Sequence, residues 1–111
     1  MSDATPHARI VLTTAADHNE AARLAHALVE EGLAACASLI PGAESIYRWQ
    51  GEIETSNETM IMLKTGPEQL AALETRLQEL HSYQTPEFLV LAVEAGSRSY
   101  LDWLCGSLRG R

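Results

Sequence analysis

Residues 38–52 read Ser38-Leu-Ile-Pro-Gly-Ala-Glu-Ser-Ile-Tyr-Arg-Trp-Gln-Gly-Glu52. The alternation predicts one long strand that ends in a turn at Gln50-Gly51. Pro41-Gly42 interrupts it, and a proline inside a strand implies an edge or a bulge. Beyond the break, Ser45, Tyr47 and Trp49 point one way while Glu44, Ile46 and Arg48 point the other. The chain returns from Glu52 to Thr65, with Met60, Met62 and Lys64 on one face and Thr59, Ile61 and Leu63 on the other. The two arms, Ala37 to Gln50 and Glu52 to Thr65, are 14 residues each. Each reaches ~45 Å at ~3.3 Å per residue. A domain of this size has a radius of gyration of only ~13 Å, so the hairpin tip must leave the body. Two large aromatics on a lone projecting ribbon invite aggregation. A neighbouring copy covering them resolves this, with Tyr47 and Trp49 as interface anchors. The expectation is a closed homo-oligomer with strand pairing between subunits; the alternative is a hairpin folded back over its own sheet.

The flanking elements follow from periodicity. Arg9 to Thr14 (RIVLTT) is a short β-branched strand. Asp17 and Glu20 have the spacing of a helix N-cap and its third residue. Ala21, Leu24, Ala25 and Leu28 then line one helix face, and Gly32 suits the C-terminal cap. Thr65-Gly-Pro-Glu68 opens a second helix whose Leu70, Leu73, Leu77 and Leu80 repeat at 3, 4 and 3. His81-Ser-Tyr-Gln-Thr-Pro-Glu87 is a loop. Phe88 to Val93 (FLVLAV) reads as a continuous apolar strand, and Ser97 caps a last helix carrying Tyr100, Leu101, Leu104 and Leu108. Met1 to His7 is an expected flexible arm, with a single domain over 8–111. The order β-α-β-β-α-β-α predicts an α+β, ferredoxin-like fold. The expected sheet has the first and fourth strands parallel beside the third, and the second at an edge. Met60 and Met62 are expected to fill core beneath a helix.

Composition narrows the function. The net charge is −7, from 8 basic and 15 acidic residues, which opposes binding to a phosphate backbone. The polar start MSDATPHARI lacks the apolar stretch of a secretory signal, and no apolar run approaches a membrane span. Cys36 and Cys105 form no zinc pattern. Reduced thiols and a cytoplasmic location are the expectation.

Several blocks resemble one family. Ala34-Ala-Cys-Ala-Ser-Leu-Ile-Pro-Gly42, Ser45-Ile-Tyr-Arg-Trp-Gln-Gly51, Glu58-Thr-Met-Ile-Met-Leu-Lys-Thr65, His81-Ser-Tyr-Gln-Thr-Pro-Glu87 and Tyr100-Leu-Asp-Trp-Leu104 are similar to the CutA (CutA1) divalent-cation tolerance family, in family order from Ile10 to Arg109. The resemblance implies a ferredoxin-like subunit in a compact homotrimer akin to PII signalling proteins. It also implies a link to tolerance of copper and other divalent cations, with no enzymatic reaction and no required cofactor. This chain departs from the family in three places. Ser82 stands where the family often has proline. Thr13 stands where some bacterial members have a proposed copper-ligating cysteine, and Arg76 falls near another.

The residues suggest two sites. Cys36, as a soft thiolate, and His81 with Glu87 are candidate ligands for copper or another divalent cation. Cys36 equally suits packing. His81 equally suits a loop hydrogen bond or a partner for the helix dipole. Lys64 needs solvent, a ligand or a carboxylate such as Glu58 or Glu87. Tyr47, Trp49, Lys64, Tyr83 and Glu87 together suggest a small-ligand cleft between subunits. The leading expectation is a trimeric, metal-responsive cytosolic binding protein. A PII-like module sensing a small metabolite, and a scaffold for a protein partner, are the alternatives. An enzyme with His81 and Glu87 as acid and base lacks any nucleophile, phosphate loop or cofactor fingerprint.

Overall fold

The computed structural model describes residues 7–110. The expected N-terminal arm therefore lies outside the described residues, except for His7. The elements are β1 (Arg9–Ala15), α1 (His18–Glu30), β2 (Cys36–Trp49), β3 (Glu52–Thr65), a 3-10 turn (Pro67–Gln69) leading into α2 (Leu70–Leu80), β4 (Leu89–Ala92) and α3 (Arg98–Gly106). Asp17 starts α1 by accepting the Glu20 N–H on Oδ1 at 2.8 Å. Gly32 ends it at φ 74. In that left-handed turn the Gly32 and Leu33 amides donate to the carbonyls of Val29 and Leu28, each at 3.0 Å, so the last orphan acceptors are satisfied.

The four strands lie in the order β2-β3-β1-β4, and every neighbouring pair is antiparallel. β2 is an edge, as its proline requires. β4, however, lies antiparallel beside β1, not parallel to it beside β3. Each βα crossover leaves a slot between its two parallel strands. β3 fills the slot between β1 and β2, and β1 fills the slot between β3 and β4.

Helices α1 and α2 cover one face only. Val11, Ile61 and Leu63 meet Leu24, Leu28, Leu73 and Leu77 there, all fully or almost fully buried. Each such side chain contributes about 1.5–3 kcal/mol of burial. α3 makes a second cluster, in which Leu101, Leu104, Cys105 and Leu108 pack with Ala8 and Ala35.

Strand register assigns the other face. Ile10 and Leu12 lie beside Lys64 and Met62, Leu89 and Leu91 beside Leu12 and Ile10, and Cys36, Ser38 and Ile40 opposite Lys64, Met62 and Met60. Met60 and Met62 therefore do not fill core beneath a helix. They belong to a sheet face that lies away from the α1 and α2 core and that α3 touches at Cys36 through Tyr100. FLVLAV is likewise no buried strand. β4 is a short edge, with Leu89 55% and Leu91 50% exposed.

Pro41-Gly42 is a β-bulge. The ladder runs Ile40↔Met60 and then Ala43↔Glu58, one extra residue on β2, with Gly42 at φ 80. The extra residue switches the parity of β2. Odd-numbered Tyr47 and Trp49 thus share the open face with even-numbered Cys36, Ser38 and Ile40. Gln50 and Gly51 close the hairpin with φ 52 and 83, the two left-handed residues of a type I′ turn. The projecting hairpin gives the subunit dimensions of 53 × 25 × 22 Å and leaves Trp49 56% exposed.

Thr13 is fully buried on the helix-covered face, and its hydroxyl has no hydrogen-bond partner among the described residues. An isosteric methyl removes that desolvation cost. Thr13→Val is expected to stabilise the fold by about 1 kcal/mol, measured by denaturant unfolding; an equal or lower midpoint would show that the hydroxyl is satisfied.

Candidate functional site

A cavity of about 670 Å³ lies between the hairpin and the loop that follows α2. β2 supplies Ser45, Ile46, Tyr47 and Trp49; β3 supplies Glu54, Ser56 and Glu58; the loop supplies Tyr83, Gln84, Thr85 and Glu87. Tyr47 sits directly across the ladder from Glu54, and Ser45 from Ser56. β1 ends its pairing at Ala15↔Thr59. Glu58 is thus the first β3 residue beyond that strand, and the loop takes the vacated place beside it.

Tyr83 ties the loop to the hairpin, its hydroxyl donating to Glu58 Oε2 at 2.7 Å. Burial, then the hydrogen bond to Glu58 and that group's charge, push the Tyr83 phenol well above its usual range. It is therefore a neutral donor at physiological pH, and not an anionic ligand. The Ser56 hydroxyl donates to the Tyr47 oxygen at 3.4 Å. Three carboxylates face the cavity, and among the described residues that line it none is Lys, Arg or His.

Behind the loop, His81 is buried. Its Nδ1 accepts the Tyr83 N–H at 3.0 Å, and its Nε2 lies 2.7 Å from the Thr14 carbonyl. The tautomer protonated on Nε2 satisfies both contacts. Its ring lies 4.7 Å from that of Tyr83. Glu20 Oε2 lies 3.7 Å from Nδ1 and accepts the Ser82 N–H at 2.9 Å. Burial pushes the Glu20 carboxyl up, but the Ser82 hydroxyl and N–H and the His81 ring outweigh it, holding the group below its ordinary value.

Four of the five expected cleft residues, Tyr47, Trp49, Tyr83 and Glu87, line this cavity. Lys64 does not: it lies across the ladder from Cys36, and its Nζ donates to Ser38 Oγ at 3.0 Å. The candidate metal set Cys36, His81 and Glu87 is not assembled within the subunit. His81 has both ring nitrogens engaged in the fold. Cys36 is half-buried, its Sγ 3.8 Å from the Tyr100 hydroxyl. Among the described residues, no three His, Cys, Asp or Glu side chains are placed to hold one metal ion. Glu54 and Glu58 were not expected in the cleft. Counting back from the Gln50-Gly51 turn finds the first of them, because that turn puts Glu54 opposite Tyr47.

Residues 9–107 match the family model of the CutA1 divalent ion tolerance protein. The chain belongs to the CutA1 family. The divalent-cation tolerance protein CutA of Pectobacterium atrosepticum is 46% identical over 100 residues, which cover 90% of this chain and 91% of that relative. The CutA1 crystal structure from Oryza sativa superimposes with a TM-score of 0.93 at 34% identity, covering 98% of this chain and all of that one. A CutA of Archaeoglobus fulgidus, described as a periplasmic divalent cation tolerance protein, superimposes with a TM-score of 0.87 at 33% identity, over 90% and 97% of the two chains. The CutA1 fold thus extends through the projecting hairpin and α3, and the family's name connects it with tolerance of divalent cations.

Proposed function

We propose that this chain acts in divalent-cation tolerance as a cytoplasmic homotrimer that binds cations, copper among them, or a small cationic ligand in the hairpin cleft. The observation that carries this reading is the lining: three carboxylates and three aromatic rings without one basic side chain. Carboxylate oxygens suit divalent ions, and a concave acidic wall concentrates them. The trimer is supported by the apolar open face, by the two sheet edges and by the exposed hairpin. A second copy laid across that face also roofs the cleft. Two unpaired thiols, Cys36 and Cys105, agree with a reducing compartment. Sensing of a phosphate-bearing metabolite, as in a PII-like module, is disfavoured at this cleft because nothing on its wall neutralises a phosphate.

The test is calorimetric titration of tag-free protein with Cu(II) and Zn(II). Saturable binding is expected, weakened at least about tenfold in Glu58→Gln and Glu87→Gln, since removing a charged partner costs about 1.5–3 kcal/mol. Titrations identical to the native protein's in both variants would remove the cleft as the site.

A further inference from the structure

The cleft is large for a bare ion. Its volume of about 670 Å³ falls among cavities that hold organic ligands, roughly 300–1,000 Å³, and its carboxylates are not gathered into a metal-ligand group. Its walls combine two kinds of cation recognition. Glu54 and Glu87 supply charge. The rings of Tyr47, Trp49 and Tyr83 supply π-faces, which attract ammonium and guanidinium groups. Glu58 is partly engaged by Tyr83, which fixes the loop wall in place before any ligand arrives. The ring edges of Tyr47 and Trp49 add apolar surface along the same wall. A chain with a net charge of −7 also favours approach of a cation from solution.

We infer that the cleft takes an organic cation, an ammonium group carried on an alkyl body, with the charged head between the carboxylates and the rings. The aliphatic stem lies against the ring edges. The inference rests on the reading that this cleft binds cations, and it names the chemical class of the ligand. An adenine nucleotide fits the volume and the stacking surface, but its phosphates meet three carboxylates and no counter-charge.

The probe is spermidine, a linear triamine, titrated into the native protein in parallel with Cu(II) and ATP. Heat is followed by calorimetry, and Trp49 emission is followed in a Trp103→Phe background. The expected result is saturable spermidine binding, one per chain, with a change in Trp49 emission and no response to ATP. Glu54→Gln and Glu87→Gln should each weaken it about tenfold, as expected for loss of one charge-assisted contact. Trp49→Leu should weaken it severalfold in the fraction that keeps the native oligomeric mass. Non-specific attraction to an acidic protein is separated by Glu30→Gln and Glu74→Gln, exposed carboxylates outside the cleft. Equal weakening in those two variants would overturn the inference. Binding of Cu(II) at the cleft carboxylates without spermidine would overturn the ligand class and leave the cation-binding reading standing. Response to neither, or to ATP alone, would sink both.

Discussion

Replacing Met62 by glutamate is expected to yield a folded protein that travels as one 12.1 kDa chain, where the proposed native trimer is expected to travel at three times that mass. Met62 sits mid-strand on the open face, between Leu12 on β1 and Ser38 on β2. Its neighbours there, Ile10, Leu89, Leu91 and Met60, have no helix over them. In a lone subunit a carboxylate at this position is tolerated, because the face meets water and the core lies on the other side of the sheet. In the proposed trimer the same carboxylate would be buried without a partner, at a cost of several kcal/mol per subunit. A standard interface of about 800 Å² per partner does not absorb that loss three times over. Sedimentation and light scattering at micromolar concentration are the measurement, and circular dichroism checks that the fold survives. A native protein that already sediments as a single subunit, with Trp49 shielded from quencher, would defeat the trimer outright.

His81→Ala is expected to cost about 2–4 kcal/mol in unfolding free energy. The ring joins two segments, the Thr14 carbonyl at the end of β1 and the Tyr83 amide in the cleft loop, and lies beside Glu20 on α1. Its loss leaves a buried donor and a buried acceptor short of partners. The loop that carries Tyr83 and Glu87 should loosen with it, so cation binding should weaken although His81 lies outside the cleft. His81→Gln, which keeps a donor and an acceptor, should recover part of both effects; full stability in the alanine variant would show that water replaces the ring. The same cluster sets an acid limit. The Glu20 carboxyl is held below its unfolded value of 4.5, so it contributes stability that is present above that pH. The contribution is lost as pH falls through the lower folded value. Thermal midpoints should therefore drop more steeply below about pH 4.5 in the native protein than in Glu20→Gln.

Most of the fold was legible because the signals were local. The hairpin could be read from the Gln50-Gly51 turn, the bulge from Pro41-Gly42, and α2 from its four leucines. The misread parts depend on what lies across the sheet. Phe88 to Val93 is apolar in the manner of a buried strand, yet β4 is bare within its own subunit. Periodicity registers that a residue avoids water, not whose atoms cover it. Met60 and Met62 deceived for the same reason. Lys64 suggests the cleft because a cation among apolar strand residues needs a partner, but six residues of extended chain carry it away from Glu58, and its Nζ donates to Ser38 instead. His81 resembled a free ligand because the Thr14 carbonyl that engages it is 67 positions away in sequence. Glu54 was the avoidable omission, being fixed opposite Tyr47 by turn geometry alone.

The tight two-residue turn also bears on the order of events in folding. Every rung from Trp49↔Glu52 down to Cys36↔Lys64 can zip outward from Gln50-Gly51, on the microsecond scale of ribbon formation. β4, by contrast, must wait for α2 and then close back on β1 across some eighty residues of chain, the slow kind of contact. During synthesis the ribbon is complete once Thr65 has emerged, well before β4 exists. In the proposed trimer, a nascent chain therefore presents its subunit-joining arm early, and assembly can begin while the last helix is still being made.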